Sequence, residues 1–99
     1  MTEKEKLLEM IKRFSDGKTS IEEFWNEYHI YYTNIEATSI FNEYDFDFFD
    51  EVNEKLYYTD WQSPADPALI EEKNLFSWIK ENLPLYLNGQ WKSEWPSSK

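Results

Sequence analysis

Cysteine is absent from this chain of 99 residues, which also has two glycines and a single histidine. Without cysteine there are no disulfides, no thiolate catalysis and no zinc or iron–sulfur sites built on thiolates. Two glycines are too few for a glycine-rich phosphate loop, and no HExxH motif is present. One histidine cannot supply the paired Glu-x-x-His motifs of a di-iron bundle. His29 lies within a helical pattern and is expected to be structural or exposed rather than catalytic.

Long apolar runs are also missing. No stretch approaches the roughly 18 apolar residues that a membrane span requires. The opening sequence MTEKEKLLEM mixes both charges and has no apolar centre, so we expect no signal peptide. The length suffices for one hydrophobic core, so residues 1–99 are expected to form a single domain. These features lead us to expect a cytoplasmic protein with no enzymatic activity and no cofactor.

Positive charge is missing from the middle of the chain. The segment from Thr19 to Glu54 carries ten acids and no Lys or Arg, and the net charge of the whole chain is −10. An acidic chain repels nucleic acid and anionic membranes and attracts basic proteins. We therefore expect a protein partner, with no direct contact to nucleic acid or membrane.

Aromatic residues are abundant, and many recur at helical spacing. Five Trp, seven Tyr and seven Phe give an aromatic fraction of 19%. The spacing predicts helices at about residues 3–14, 20–32, 39–58 and 67–82, followed by a short polar tail over about residues 88–99. Helices of this length with short connections predict an all-α protein folded as an antiparallel four-helix bundle.

Local signals mark the helix ends. Thr2 followed by Glu5 resembles a capping box, and Thr19 or Ser20 is expected to cap the second helix. Asp66–Pro67 resembles an N-cap followed by proline at the first helical position. Pro84 is expected to end or kink the last helix.

The third predicted helix interleaves rings and acids in the stretch FNEYDFDFFDEVNE, residues 41–54. Its predicted buried stripe recurs at steps of three and four residues and consists of Phe41, Tyr44, Phe48, Val52 and Leu56. The alternation in DFDFFD also fits a half-buried strand. Because that alternation lasts only a few residues and the stripe continues for four turns, we interpret the segment as a helix.

The opposite face of this helix is predicted to be acidic. Phe46 lies about 160° from Phe48 on a helical wheel. Its side also carries Glu43, Asp47, Asp50, Asn53, Glu54 and Tyr57. A solvated helix face is commonly charged, but it normally mixes both signs. Acidic residues that surround exposed rings, with no basic residue among them, are typical of a surface that binds a basic protein. On such a surface the charges speed encounter and the rings provide anchors.

A metal site is a weaker interpretation of the same acids. Asp45, Asp47, Asp50 and Glu54 loosely resemble a calcium loop, but the central glycine is missing and bulky rings intervene. We therefore expect no metal. A small enzyme or metal-binding bundle built on the carboxylates stays open as an alternative, which clear metal uptake would favour.

Three segments resemble the colicin D-type immunity proteins, which protect bacteria from their own toxins. FSDGKTSIEEFWNEY resembles the first loop and the opening of the second helix of that family, and DFFDEVNEKLYYTDWQSPADP resembles its third helix and the following loop. LFSWIKENL resembles the closing helix. The resemblance spans roughly residues 7–83, so the tail with Trp91 and Trp95 has no counterpart.

This resemblance implies a four-helix bundle that inhibits a cognate toxin. In that family the partner is typically a tRNA-cleaving nuclease domain, whose positively charged active site is blocked by acids. Related bundles protect against contact-dependent toxins delivered between neighbouring bacteria. The best-matching stretch implies docking through Asp47, Asp50, Glu51 and Glu54, with Asp60 and Trp61 where the helix ends. An alternative is an acidic helical module that regulates a basic protein other than a toxin, such as a DNA-binding protein.

Overall fold

The computed structural model describes residues 2–59, 69 and 71–92. Helix α1 is Glu3–Ser15. Helix α2 consists of Ile21–Phe24, a π-helical turn at Trp25–His29, and Ile30–Asn34. The short helix α3 is Ala37–Ile40, α4 is Glu43–Tyr57 and α5 is Glu72–Leu87. No strand occurs in this part of the chain, and the predicted all-α class is confirmed. Helix α1 packs against α2 and α5, while α4 packs against the π turn and α5. None of the described helices is long and apolar enough to cross a membrane.

The first two helices begin at reciprocal capping boxes. Thr2 Oγ1 accepts a hydrogen bond from the Glu5 amide at 3.2 Å, and the Glu5 carboxylate accepts one from the Thr2 amide at 3.0 Å. Ser20 and Glu23 form the same pair at 3.1 and 3.0 Å, so Ser20 is the cap of α2. Each box satisfies two backbone donors that the first turn of a helix leaves without partners.

The predicted helix over residues 39–58 is wrong at its start, because the chain forms two helices there. Helix α3 ends at Ile40, and α4 begins at Glu43 after an extended Asn42. Asn42 Oδ1 accepts a hydrogen bond from the Asp45 amide at 2.8 Å and so caps α4. An asparagine side chain that bonds the backbone three residues ahead favours a helix start over a helix interior.

The last helix also differs from its predicted range of 67–82. It begins at Glu72 and continues through Pro84 to Leu87. Proline removes one helical donor, but the bonds around it persist, and the Asn88 amide donates to the Pro84 carbonyl at 3.1 Å. Gly89, with φ of 73°, forms the turn after the helix. The predicted cap at Asp66–Pro67 lies outside the described residues.

The core is built from the apolar faces of all the long helices. Of the predicted stripe of α4, Phe48, Val52 and Leu56 are fully buried, whereas Phe41 and Tyr44 are half-buried. The stripe is wider than predicted, because Phe49 is also fully buried. The core residues are Leu7, Ile11, Phe14, Ile21, Phe24, Tyr28, Tyr32, Phe48, Phe49, Val52, Leu56, Leu75, Ile79, Leu83, Tyr86 and Trp91.

Trp91 ties the segment after α5 to this core. It is 4% exposed, and its ring meets the edge of Phe48 at 5.2 Å and of Tyr44 at 6.1 Å. Phe48 in turn stacks on Tyr86 at 4.1 Å. The start of the predicted polar tail is therefore part of the folded domain. Trp95 lies outside the described residues.

We predict that Trp91→Ala destabilises the protein by about 3–5 kcal/mol, the usual cost of removing a large buried ring. Leu87→Ala is the control, because Leu87 is 61% exposed; it should change the free energy of unfolding by no more than about 0.5 kcal/mol. Urea denaturation followed by far-ultraviolet circular dichroism measures both variants. A loss below about 1 kcal/mol for Trp91→Ala would contradict its place in the core.

Candidate interaction surface

Helix α2 holds α4 through three side-chain hydrogen bonds. The hydroxyl of the fully buried Tyr28 donates to the Phe49 carbonyl at 2.9 Å. One turn further along α4, His29 Nδ1 lies 2.9 Å from Asn53 Oδ1. The Tyr32 hydroxyl donates to Asp50 Oδ1 at 3.2 Å. These bonds fix the rotation of α4 and thereby decide which of its faces lies outside.

Two of the bonding residues, Tyr28 and His29, belong to the π turn. A π turn takes one residue more per hydrogen-bonded turn than an α-helix, so it shifts the side chains that follow it around the helix axis. His29 is also flanked by rings, with the Trp25 ring at 4.5 Å and the Tyr57 ring at 5.7 Å. The predicted helix over residues 20–32 is thus present, but its spacing pattern gave no sign of the π turn.

Two of the cations near α4, Lys4 and Lys55, lie on the side that faces α5, whereas Lys92 lines a shallow pocket with Glu43 and Asp47. The buried Asp45 accepts a hydrogen bond from Tyr86 at 2.5 Å and pairs with Lys4 Nζ at 3.4 Å. Lys55, the basic residue of α4 itself, places its ammonium 5.0 Å from the centre of the Trp78 ring.

The opposite side of α4 carries the acids that the helical wheel placed there, and we call it the acidic face: Glu43, Asp47, Asp50 and Glu54. Glu43 and Glu54 are exposed, and Asp47 and Asp50 are half-buried. Tyr57, at the end of the face, is 57% exposed and meets the neighbouring Tyr58 ring at 5.1 Å. The predicted acids and one predicted ring therefore lie together along α4.

Two of the other predicted contact residues are less accessible than predicted. Glu51 is fully buried, which corrects its prediction as a docking residue, because the wide buried stripe of α4 includes its position. Phe46 is half-buried against the core rather than directed away from it, because the segment before α4 folds back alongside the helix. Asp60 and Trp61 lie outside the described residues.

A groove separates α4 from the end of α2 and the segment that follows it. It has a volume of about 490 Å³ and is open to solvent. Its lining residues are Tyr32, Thr33, Ile35, Glu36, Ser39, Phe46, Asp50 and Asn53. Asn53 was predicted on this side of the helix, but the sequence did not indicate Tyr32 or Glu36 beside it, because the groove forms only when two separate segments pack together.

The surroundings of Asp50 disfavour its charged form. Burial raises its pKa, the nearby Asp47 raises it further, and the hydrogen bond from Tyr32 opposes this rise. Burial and the Asp50 charge in turn raise the pKa of the Tyr32 hydroxyl. Within the described residues neither Asp50 nor Glu54 forms an ion pair. A half-buried carboxylate without a cation costs stability, which a cationic partner would recover.

Comparisons with protein-family models, with curated proteins and with solved structures found no match for the chain. The resemblance to colicin D-type immunity proteins therefore stays a prediction. Among the described residues, no three His, Asp or Glu side chains converge on a point that could hold a metal ion.

We predict that Asp50→Asn stabilises the protein at neutral pH, by less than about 1 kcal/mol because the site is only half-buried. The folded state holds the Asp50 proton more tightly than the unfolded state does. The protonated form therefore stabilises the fold at low pH, and this contribution is lost as pH rises through the raised pKa. The asparagine oxygen still accepts from Tyr32 and does not titrate.

Urea denaturation between about pH 4 and pH 7 tests this prediction, and the advantage of Asp50→Asn should grow as pH rises. Glu81→Gln, on the exposed side of α5, is the control for loss of one negative charge. A destabilised Asp50→Asn protein at neutral pH would show that the Asp50 charge supports the fold.

Proposed function

We propose that this chain is an immunity protein that binds a basic toxin nuclease domain and covers its active site. The acidic face is the observation that supports the proposal most, because its acids recur along most of α4, with Lys92 beside Glu43 and Asp47 at one end. Glu54 and Asp50 lack ion pairs within the described part of the chain, while Lys55 contacts Trp78 on another side. Such a surface is complementary to the Lys and Arg residues with which a nuclease holds phosphates.

The chain itself would carry out no chemical step. Its carboxylates would pair with the cations of the toxin and so exclude the nucleic-acid backbone from the active site. The exposed Tyr57 ring, and the open part of Phe46, would supply desolvated contacts within the charged surface. Salt should weaken association mainly by slowing encounter, while the ring contacts should govern the lifetime of the complex. We propose a tRNA-cleaving domain as the partner, following the resemblance in the sequence.

The first experiment uses the C-terminal domain encoded by the adjacent upstream gene. The purified domain is mixed with this protein, binding is followed by calorimetry at low and high salt, and tRNA cleavage is assayed in parallel. Tight, salt-sensitive binding that abolishes cleavage supports the proposal. Tight binding to a basic domain without nuclease activity would favour the alternative of a regulatory module for a basic protein. Absence of binding would count against both at this gene pair.

We predict that Asp50→Lys and Glu54→Lys each weaken binding to the toxin domain by roughly tenfold or more, because each reverses a charge at the centre of the contact. Both side chains reach solvent, so the helical circular dichroism spectrum should be unchanged. Glu81→Lys on α5 makes the same charge change outside the acidic face and should retain affinity. Equal inhibition by wild type and by both α4 variants would move the binding site off this face.

A further inference from the structure

We propose that the groove beside α4 is a binding site for the guanidinium group of one arginine side chain. The proposed function enters this inference at one point, where it makes the toxin domain the protein that carries the arginine. The chemistry of the groove does not depend on which protein that is. The groove is bounded on one side by α4 and on the other by the end of α2 and the residues after it. Its volume of about 490 Å³ leaves room for a long side chain to enter from solvent.

The acceptors in the groove come from its two sides. Asp50 is contributed by α4 and Glu36 by the segment between α2 and α3. None of the described lining residues is a Lys or an Arg. Asp50 Oδ1 accepts from Tyr32, and within the described residues no hydrogen bond reaches Oδ2. One oxygen of a fixed, half-buried carboxylate is thus left for a cation.

Two other polar side chains of the groove, Thr33 and Asn53, already have partners. Thr33 Oγ1 donates to the backbone carbonyls of His29 and Ile30 at 2.9 and 3.2 Å. Asn53 Oδ1 lies 2.9 Å from His29 Nδ1. The carboxylates are the charged acceptors of the groove, which favours a donor-rich cation over a neutral group.

The groove distinguishes arginine from lysine through its apolar lining. Phe46 lines the groove and is half-buried, with Ile35 and Tyr32 also part of the wall. A guanidinium is planar, weakly hydrated and able to stack on a ring while its edge donates to carboxylates. An ammonium is strongly hydrated and loses more when it leaves water for a partly apolar site. Partial burial of Asp50 also strengthens a hydrogen-bonded ion pair relative to one in bulk water.

The test uses small probes and no toxin. The ¹⁵N-labelled protein is titrated with N-acetyl-arginine amide, N-acetyl-lysine amide and N-acetyl-citrulline amide, and amide chemical shifts are followed by NMR. We expect saturable shifts that cluster around Glu36, Phe46 and Asp50 with the arginine probe. The lysine probe should bind at least about fivefold more weakly, because it cannot stack or donate in a plane. The neutral citrulline probe should produce no saturable shift.

Variants assign the site. Asp50→Asn keeps the acceptor for Tyr32 but removes the charge, and should abolish saturable binding of the arginine probe. Phe46→Leu should reduce the preference for arginine over lysine by lowering arginine affinity. Glu81→Gln is the control and should bind as wild type does. Retained affinity in Asp50→Asn, equal affinity for both basic probes, or shifts spread over the whole surface would overturn the proposal.

The two proposals fail separately. If the protein binds the arginine probe but inhibits no nuclease, the groove site is supported and the proposed immunity function is contradicted. If this protein inhibits a nuclease but binds no arginine probe, the immunity function is supported and the arginine site in the groove is ruled out.

Discussion

The packing of the π turn of α2 against α4 is the contact on which the rest of the structure depends. A tyrosine hydroxyl buried as deeply as that of Tyr28 needs an acceptor, and it finds the Phe49 carbonyl at 2.9 Å. Tyr32 and His29 reach α4 from the same helix. With its rotation fixed by these bonds, α4 places Phe48 and Phe49 in the core and exposes its acids on the other side.

Charge is distributed around α4 in two different ways. On the inner side, Asp45 is buried but satisfied by Tyr86 and Lys4, so its charge supports the fold. On the outer side, Asp50 is half-buried beside another acid, and among the residues that the structure describes its hydrogen-bond partner is the Tyr32 hydroxyl. Asp45 and Asp50 lie on one helix, and of these two only Asp50 lacks a cationic partner among the described residues. An uncompensated charge in a groove is more readily explained by binding than by stability.

The all-α class could be predicted because its signals are local. Spacing of apolar residues and the cap residues Thr2 and Ser20 act within one or two turns, and the structure follows them. The break before α4 and the burial of Glu51 could not be predicted in this way. Both features depend on how the helices pack against one another. The spacing of apolar residues along a single helix carries no information about that packing. The acids of the candidate surface were predicted because they follow one another along α4, whereas the groove joins residues from separate segments.

The charges of the acidic face and of the groove act over different distances, and under the proposed function this difference would give each a separate role in binding. Exposed acids such as Glu54 act through solvent over about one Debye length, about 8 Å at physiological ionic strength, so they influence the rate of encounter and are screened by salt. Asp50 in the groove acts by direct contact and is partly shielded from water, so salt screens it less. A partner that used both would associate more slowly as salt rises while its dissociation rate changed little. A partner held only by the acidic face would also dissociate faster as salt rises, because no short-range contact would hold it once the charges were screened.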